Sequence, residues 1–174
     1  EYAAKLKQEG KTLYEQLELI KKKYGYYREL LQNVYYHGMD GMDKMLSIMD
    51  ALRADLPKSI GQLSVVRILD QQSKQIIDGQ TREQTGEYVG FPDNALVFYL
   101  NEEQSIRIVV RPSGTEPKIK FYAAVGMPVG EDKSEEEFEA IKEKADTLVH
   151  EILEAIVMTA EGIAAGGERY QILG

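Results

Sequence analysis

Residues 111–122 read Arg-Pro-Ser-Gly-Thr-Glu-Pro-Lys-Ile-Lys-Phe-Tyr. A guanidinium fork at Arg111, hydroxyls at Ser113 and Thr115, and the backbone N–H groups around Gly114 are the donors that a phosphate needs converging on it. Gly114 lets the backbone come close, while Pro112 and Pro117 restrict the ends and lower the entropy lost on binding. Lys118 and Lys120 share one face of the extended segment that follows, because alternate residues of a strand do. Either ammonium could add charge. Nothing near Ser113 in sequence supplies a base or metal ligands, so the chemistry on offer is holding an anion, with no nucleophile among these residues. A second reading stands beside it, a turn whose Ser, Gly and Thr satisfy only their own backbone. Composition does not choose between the two.

An anion is electrostatically allowed at this place despite the acidity of the whole chain. The 174 residues carry 21 Lys and Arg against 29 Asp and Glu, a formal charge of −8. Residues 131–154 alone hold ten carboxylates and three lysines, whereas 111–120 has three cations against Glu116. The absence of cysteine excludes disulfides, a thiol nucleophile and thiolate-bound zinc or iron–sulfur centres. His37 and His150 are the two histidines, which argues against a His-rich metal site. No apolar run approaches the roughly 20 residues of a membrane span, so the chain is read as soluble and cytoplasmic, with no membrane partner.

Several elements must position the segment. Residues 1–10 read as helix already in progress, as in a piece of a longer protein. Thr12 and Glu15 have capping-box spacing ahead of a stripe of Leu13, Leu17, Ile20 and Tyr24, ended by Gly25. The Lys21–Lys23 run beside Tyr26 and Tyr27 reads as a solvated helix end with packing tyrosines, so no nucleic-acid partner is assigned. A helix over about 40–55 has Asp40 as N-cap, Asp43 in the first turn and a Met-rich stripe that reads as core, in preference to a metal loop or cofactor box. Extended segments follow at 63–69 and 75–77, then a long surface loop over 80–94. Strands at 95–100, 105–110 and 118–125 come next, with a hairpin-length loop at 101–104. Ser134 and Glu137 open a last helix with Phe138, Ile141, Ala145, Leu148, Ile152 and Ile156 on one stripe and His150 at its surface. The tail after Gly162 is expected to fray. This order predicts an α+β domain, a four-stranded, mainly antiparallel sheet with helices on one face.

RPSGTEPKIKFY, preceded by SIRIVV, resembles the C-terminal phosphate-binding signature of the phosphoglucomutase/phosphomannomutase (α-D-phosphohexomutase) family. GKTLYEQLELIKKKYGYY is similar to the closing helix of that family's third domain, and FPDNALVFYL to the strand entering the signature hairpin. The resemblance implies a four-domain enzyme that interconverts sugar 1-phosphates and 6-phosphates of glucose or mannose. It also implies a phosphoserine, Mg²⁺ and a sugar 1,6-bisphosphate intermediate. The loops for the serine, the metal and the sugar have no counterpart here, so no catalytic or metal-binding residue is assigned and the isolated chain is expected to be inactive. Carried over, Arg111, Ser113, Gly114, Thr115 and Lys120 hold the phosphate that is not being transferred. Residues 1–36 become the closing helical segment of the third domain, and 37–174 a fourth, phosphate-binding domain of TATA-binding-protein-like fold. The implied partners are a sugar phosphate and the missing domains of the same polypeptide, with rotation at a link near 24–38. The rival is a free-standing anion-binding regulatory module without catalysis.

Overall fold

The computed structural model describes residues 1–164; the expectation of a fraying tail falls mainly on 165–174, outside the described residues. In chain order the elements are α1 (Tyr2–Gln8), α2 (Leu13–Tyr24), β1 (Tyr26–Tyr35), α3 (Gly41–Ala54), β2 (Ser59–Ile60), β3 (Leu63–Ser64), β4 (Arg67–Asp70), β5 (Gln75–Asp78), β6 (Gln84–Glu87), β7 (Leu96–Tyr99), β8 (Ile106–Pro112), β9 (Lys118–Met127) and α4 (Glu135–Ala164). The fold is α+β, as expected. Its main sheet has seven strands, ordered β1-β9-β8-β7-β4-β5-β6 with every neighbour antiparallel, instead of four; β2 and β3 form a separate hairpin.

Two of the extra strands have clear causes. Residues 26–35 were expected to be part of a helical segment and a link, yet they pair with β9 over ten positions, Tyr26 opposite Met127 through Tyr35 opposite Lys118. Tyr26, Leu30 and Val34 alternate onto the core and Tyr27, Leu31 and Tyr35 onto the other face, a two-residue period that overrides the helix-forming residues between them. A segment paired along its whole length is no hinge. The supposed loop 80–94 contains β6, an exposed polar edge strand that meets β5 through an irregular register at Ile76 and Ile77. Its polarity is what hid it, since an edge strand has little apolar surface to bury.

The core lies between one face of the sheet and helices α3 and α4. Phe98, Ile108, Ile119 and Phe121 project from the central strands and are fully buried, against Met45, Ile48, Met49 and Leu52 from α3 and Ala145, Ile152 and Ile156 from α4. The Met stripe is therefore core, although Met42 and Leu46 stay exposed. Asp40 does occupy the N-cap position of α3, but its side chain makes no capping bond. Both capping boxes form: the Glu15 N–H donates to Thr12 Oγ1, and the Glu137 N–H to Ser134 Oγ at 3.2 Å while Glu137 accepts from the Ser134 N–H at 2.9 Å.

Helix α2 is attached differently. It buries no residue, and its stripe of Leu13, Leu17, Ile20 and Tyr24 is exposed. Two polar bridges to α4 hold it: Lys142 reaches Glu18 at 2.6 Å and Lys22 pairs with Glu135 at 3.0 Å, while Lys21, within α2 itself, shares the Glu18 carboxylate at 2.7 Å. Burial opposes charge on Lys142, yet Glu139 and Glu18 outweigh it and hold the ammonium pKa above its usual value.

Candidate functional site

The β8–β9 hairpin carries the candidate site. Because side chains alternate, Ile108 and Val110 of β8 and Ile119 and Phe121 of β9 point into the core, which turns Arg107, Val109, Arg111, Lys118, Lys120 and Tyr122 to the open face. Arg111 and Lys120 are direct cross-strand partners there. Between the strands, residues 113–117 form a loop closed by the Ser113 N–H donating to the Lys118 carbonyl at 2.9 Å. The Tyr36 N–H donates to the Pro117 carbonyl at 2.8 Å, tying the loop to the chain that leads from β1 into α3. Gly41 at the start of α3 closes that corner: a Cβ there would lie 2.0 Å from the Tyr36 carbonyl oxygen and 3.1 Å from Pro117 Cβ.

The loop is firmly held and its donors are unspent. Among the described residues the N–H groups of Gly114 and Glu116 have no partner, and that of Thr115 reaches only Ser113 Oγ, at 3.5 Å. Unpaired N–H groups in a loop that is otherwise held are available to donate to an anion. A Cβ built on Gly114 meets nothing within 4 Å, and its backbone lies outside the left-handed region. The fold alone therefore does not require glycine at 114, unlike at 41.

The cations differ in their engagement. Arg111 Nε lies 3.0 Å from Asp93 Oδ2, on the loop before β7. Lys118 is paired with Glu116, donates to Tyr35 Oη at 3.2 Å and lies over that ring; Glu116, and after it Tyr35, raise its pKa above the usual value. Lys120 has no ion-pair partner among the described residues. The structure thus gathers all five residues expected at the site along one hairpin and its loop. It adds two that sequence reading passed over, Tyr35 and Asp93. Asp93 lowers the local excess from two positive charges to one. A signal for it existed: FPDNALVF places an acidic residue at the entrance of the strand that pairs with β8.

The donor chemistry offers no place for Mg²⁺ at the one group of three carboxylates that converge among the described residues. Glu18, Glu135 and Glu139 come together, but Lys21, Lys22 and Lys142 already sit on them. His150 is exposed on α4, with Nδ1 2.6 Å from the Asp146 carbonyl oxygen. No helix of the described residues is long and apolar enough to cross a membrane.

Tyr36, beside the loop, gives a pH-dependent prediction. It is 7% exposed, its hydroxyl has no partner among the described residues, and burial, with a smaller contribution from Glu161, pushes its pKa up to about 12. The folded state favours the neutral phenol. That stabilisation is complete below the ordinary tyrosine value near 10 and is lost as pH rises from there to about 12. Urea denaturation of Tyr36→Phe and the parent chain should show Phe gaining relative stability between pH 10 and 12. A constant difference across that range would contradict the assignment.

No family model matches the chain. Curated relatives do. A phosphoglucomutase of Staphylococcus haemolyticus is 32% identical over 135 residues, covering 78% of this chain and 24% of the relative. One of Staphylococcus aureus strain MRSA252 is 34% identical over 131 residues, covering 75% and 23%. The matched region of these enzymes is the C-terminal one. The chain is a relative of the phosphoglucomutase C-terminal domain. It spans about a quarter of the length of the phosphoglucomutases it matches. Among solved structures, the open form of Paramecium parafusin aligns at 13% identity over 92% of this chain and 25% of that one, with a TM-score of 0.36, an overlap too slight to bear on the fold.

Proposed function

We propose that this chain is the C-terminal phosphate-binding domain of a phosphohexomutase that, when intact, interconverts the 1- and 6-phosphates of glucose or mannose. Arg111, Ser113, Gly114, Thr115 and Lys120 hold the phosphate that is not being transferred. The observation that carries this reading is the 113–117 loop, fixed at both ends yet with the N–H groups of Gly114 and Glu116 unpaired, beside Arg111 and Lys120. These residues position the substrate and offset its charge; they make and break no bond. The phosphoserine, the Mg²⁺ and the groups that read the sugar belong to other domains of the same polypeptide, and a sugar 1,6-bisphosphate is the intermediate that turns round between them. We place the domain boundary at Gly25, because β1 belongs to the sheet, and assign α1 and α2 to the preceding domain. The exposed stripe of α2 is then the surface on which that domain packs.

An amide NMR titration of the chain with inorganic phosphate and with glucose 1-phosphate, glucose serving as control, tests the reading. Shifts should concentrate at 111–120 for both phosphates and be absent for glucose. The loop is open to water and lacks the other walls of the site, so affinity near about 1 mM is expected, equivalent to roughly 4 kcal/mol. No conversion of glucose 1-phosphate should accompany it. Silence at tens of millimolar phosphate, or shifts spread over the acidic helix α4, would count against the assignment.

A further inference from the structure

We infer that Asp93 is a positioning residue of the phosphate site, holding Arg111 in place before the anion arrives, and that Arg53 and Asp70 anchor it from the core; this rests on the phosphate-site reading above. Asp93 stands 18 positions before Arg111 in the chain and is brought to it by the β7–β8 pairing, in which Leu96 lies opposite Val110. The contact is made at Nε, 3.0 Å from Asp93 Oδ2, and Arg111 donates no hydrogen bond to any described residue. The terminal nitrogens of the guanidinium are therefore unspent while its stem is held.

An exposed ion pair normally contributes little and forms loosely. This one differs in how its acidic partner is fixed. The Ala95 N–H donates to the Asp93 carbonyl at 2.8 Å. The next residue, Asn94, accepts a hydrogen bond from Arg53 Nη2 at 2.5 Å. Arg53, at the end of α3 and 16% exposed in its side chain, also places Nε 3.3 Å from Asp70 Oδ1. Asp70 is buried at the end of β4 and accepts from the Gln72 N–H at 3.1 Å and Ser73 Oγ at 2.8 Å. A charged network rooted in the core thus fixes the loop that carries Asp93. The guanidinium that Asp93 holds sits on a long side chain whose rotamer entropy would otherwise be lost on binding. Against this stands repulsion between the carboxylate and a bound phosphate, which water weakens on so open a surface.

The two effects have opposite signs and one experiment separates them. The 174-residue chain, Asp93→Ala and Asp93→Asn are titrated with inorganic phosphate, and the order parameter of the Arg111 Nε–H is measured without ligand. If Asp93 positions Arg111, Asp93→Ala lowers that order parameter and weakens phosphate binding about fivefold. Asp93→Asn, which keeps the shape and removes the charge on which the contact rests, weakens binding to the same degree. Binding that is unchanged or tighter in Asp93→Ala overturns the inference and makes Asp93 a competitor of the ligand. If the parent chain binds no phosphate, the site reading itself has failed and the inference falls with it, whatever Arg111 does. Arg53→Met gives an independent check away from the ligand: loss of Arg111 order there supports the anchoring route, and full retention removes it.

Discussion

Arg111→Ala is expected to leave the fold intact and to remove phosphate binding. The side chain is about half exposed and its ion partner is a surface carboxylate, so unfolding free energy should change by no more than about 0.5 kcal/mol. Charge-assisted hydrogen bonds from a guanidinium contribute about 1.5–3 kcal/mol each, so even one lost bond costs at least about tenfold in affinity. From a millimolar start one lost bond moves the midpoint to about 10 mM, and loss of two takes binding beyond the reach of the titration. Gly114→Ala is the companion test, and it isolates the ligand from the fold. The added methyl meets no protein atom and needs no unusual backbone angle, so stability should hold or rise slightly. The methyl would, however, stand where an anion approaches the N–H groups of 114–116, and affinity should fall. Paired denaturation and phosphate titrations decide the matter. If Gly114→Ala binds phosphate as well as the parent chain, the loop backbone is not the cradle.

The hairpin and its loop were legible in the sequence because their signals are local. Strands 95–100, 105–110 and 118–125 alternate or run apolar, proline marks both ends of the loop, and the donor residues are contiguous; the structure extends β8 to Pro112 and β9 to Met127. The two capping boxes and the core stripes of α3 and α4 were equally local. What escaped depends on pairings distant in the chain. β1 carries Glu29, Leu30, Leu31 and Gln32, residues at home in a helix, and becomes a strand because β9 offers ten positions to pair with. β6 has almost no apolar residues, and only its place beside β5 makes it part of the sheet. Asp93 escaped for the same reason. Its partner is set by the β7–β8 register, which no local spacing encodes. Helix α2 shows the reverse case, a clean amphipathic pattern whose stripe stays exposed among the described residues.

The second large effect should come from a residue that touches no ligand. Gly41→Ala places a methyl 2.0 Å from the Tyr36 carbonyl oxygen and 3.1 Å from Pro117 Cβ, and the first of these obstacles is backbone that cannot rotate away. Either α3 or the 35–38 segment must move, and both are committed. α3 buries Met45, Ile48, Met49 and Leu52, while Tyr36 holds Pro117 through its N–H at 2.8 Å. Overpacking of this kind costs about 3 kcal/mol, which urea denaturation would show as a clear fall in midpoint. The same displacement reaches the phosphate loop through Pro117, so a folded Gly41→Ala chain should also bind phosphate more weakly, although residue 41 lies outside the donor set. Gly114→Ala and Gly41→Ala therefore make opposite predictions from one substitution type, binding lost with stability kept against stability lost first. If Gly41→Ala proved as stable as the parent, the close packing of α3 on the 36–117 contact would be wrong, and with it the account of how the fold holds the loop in place.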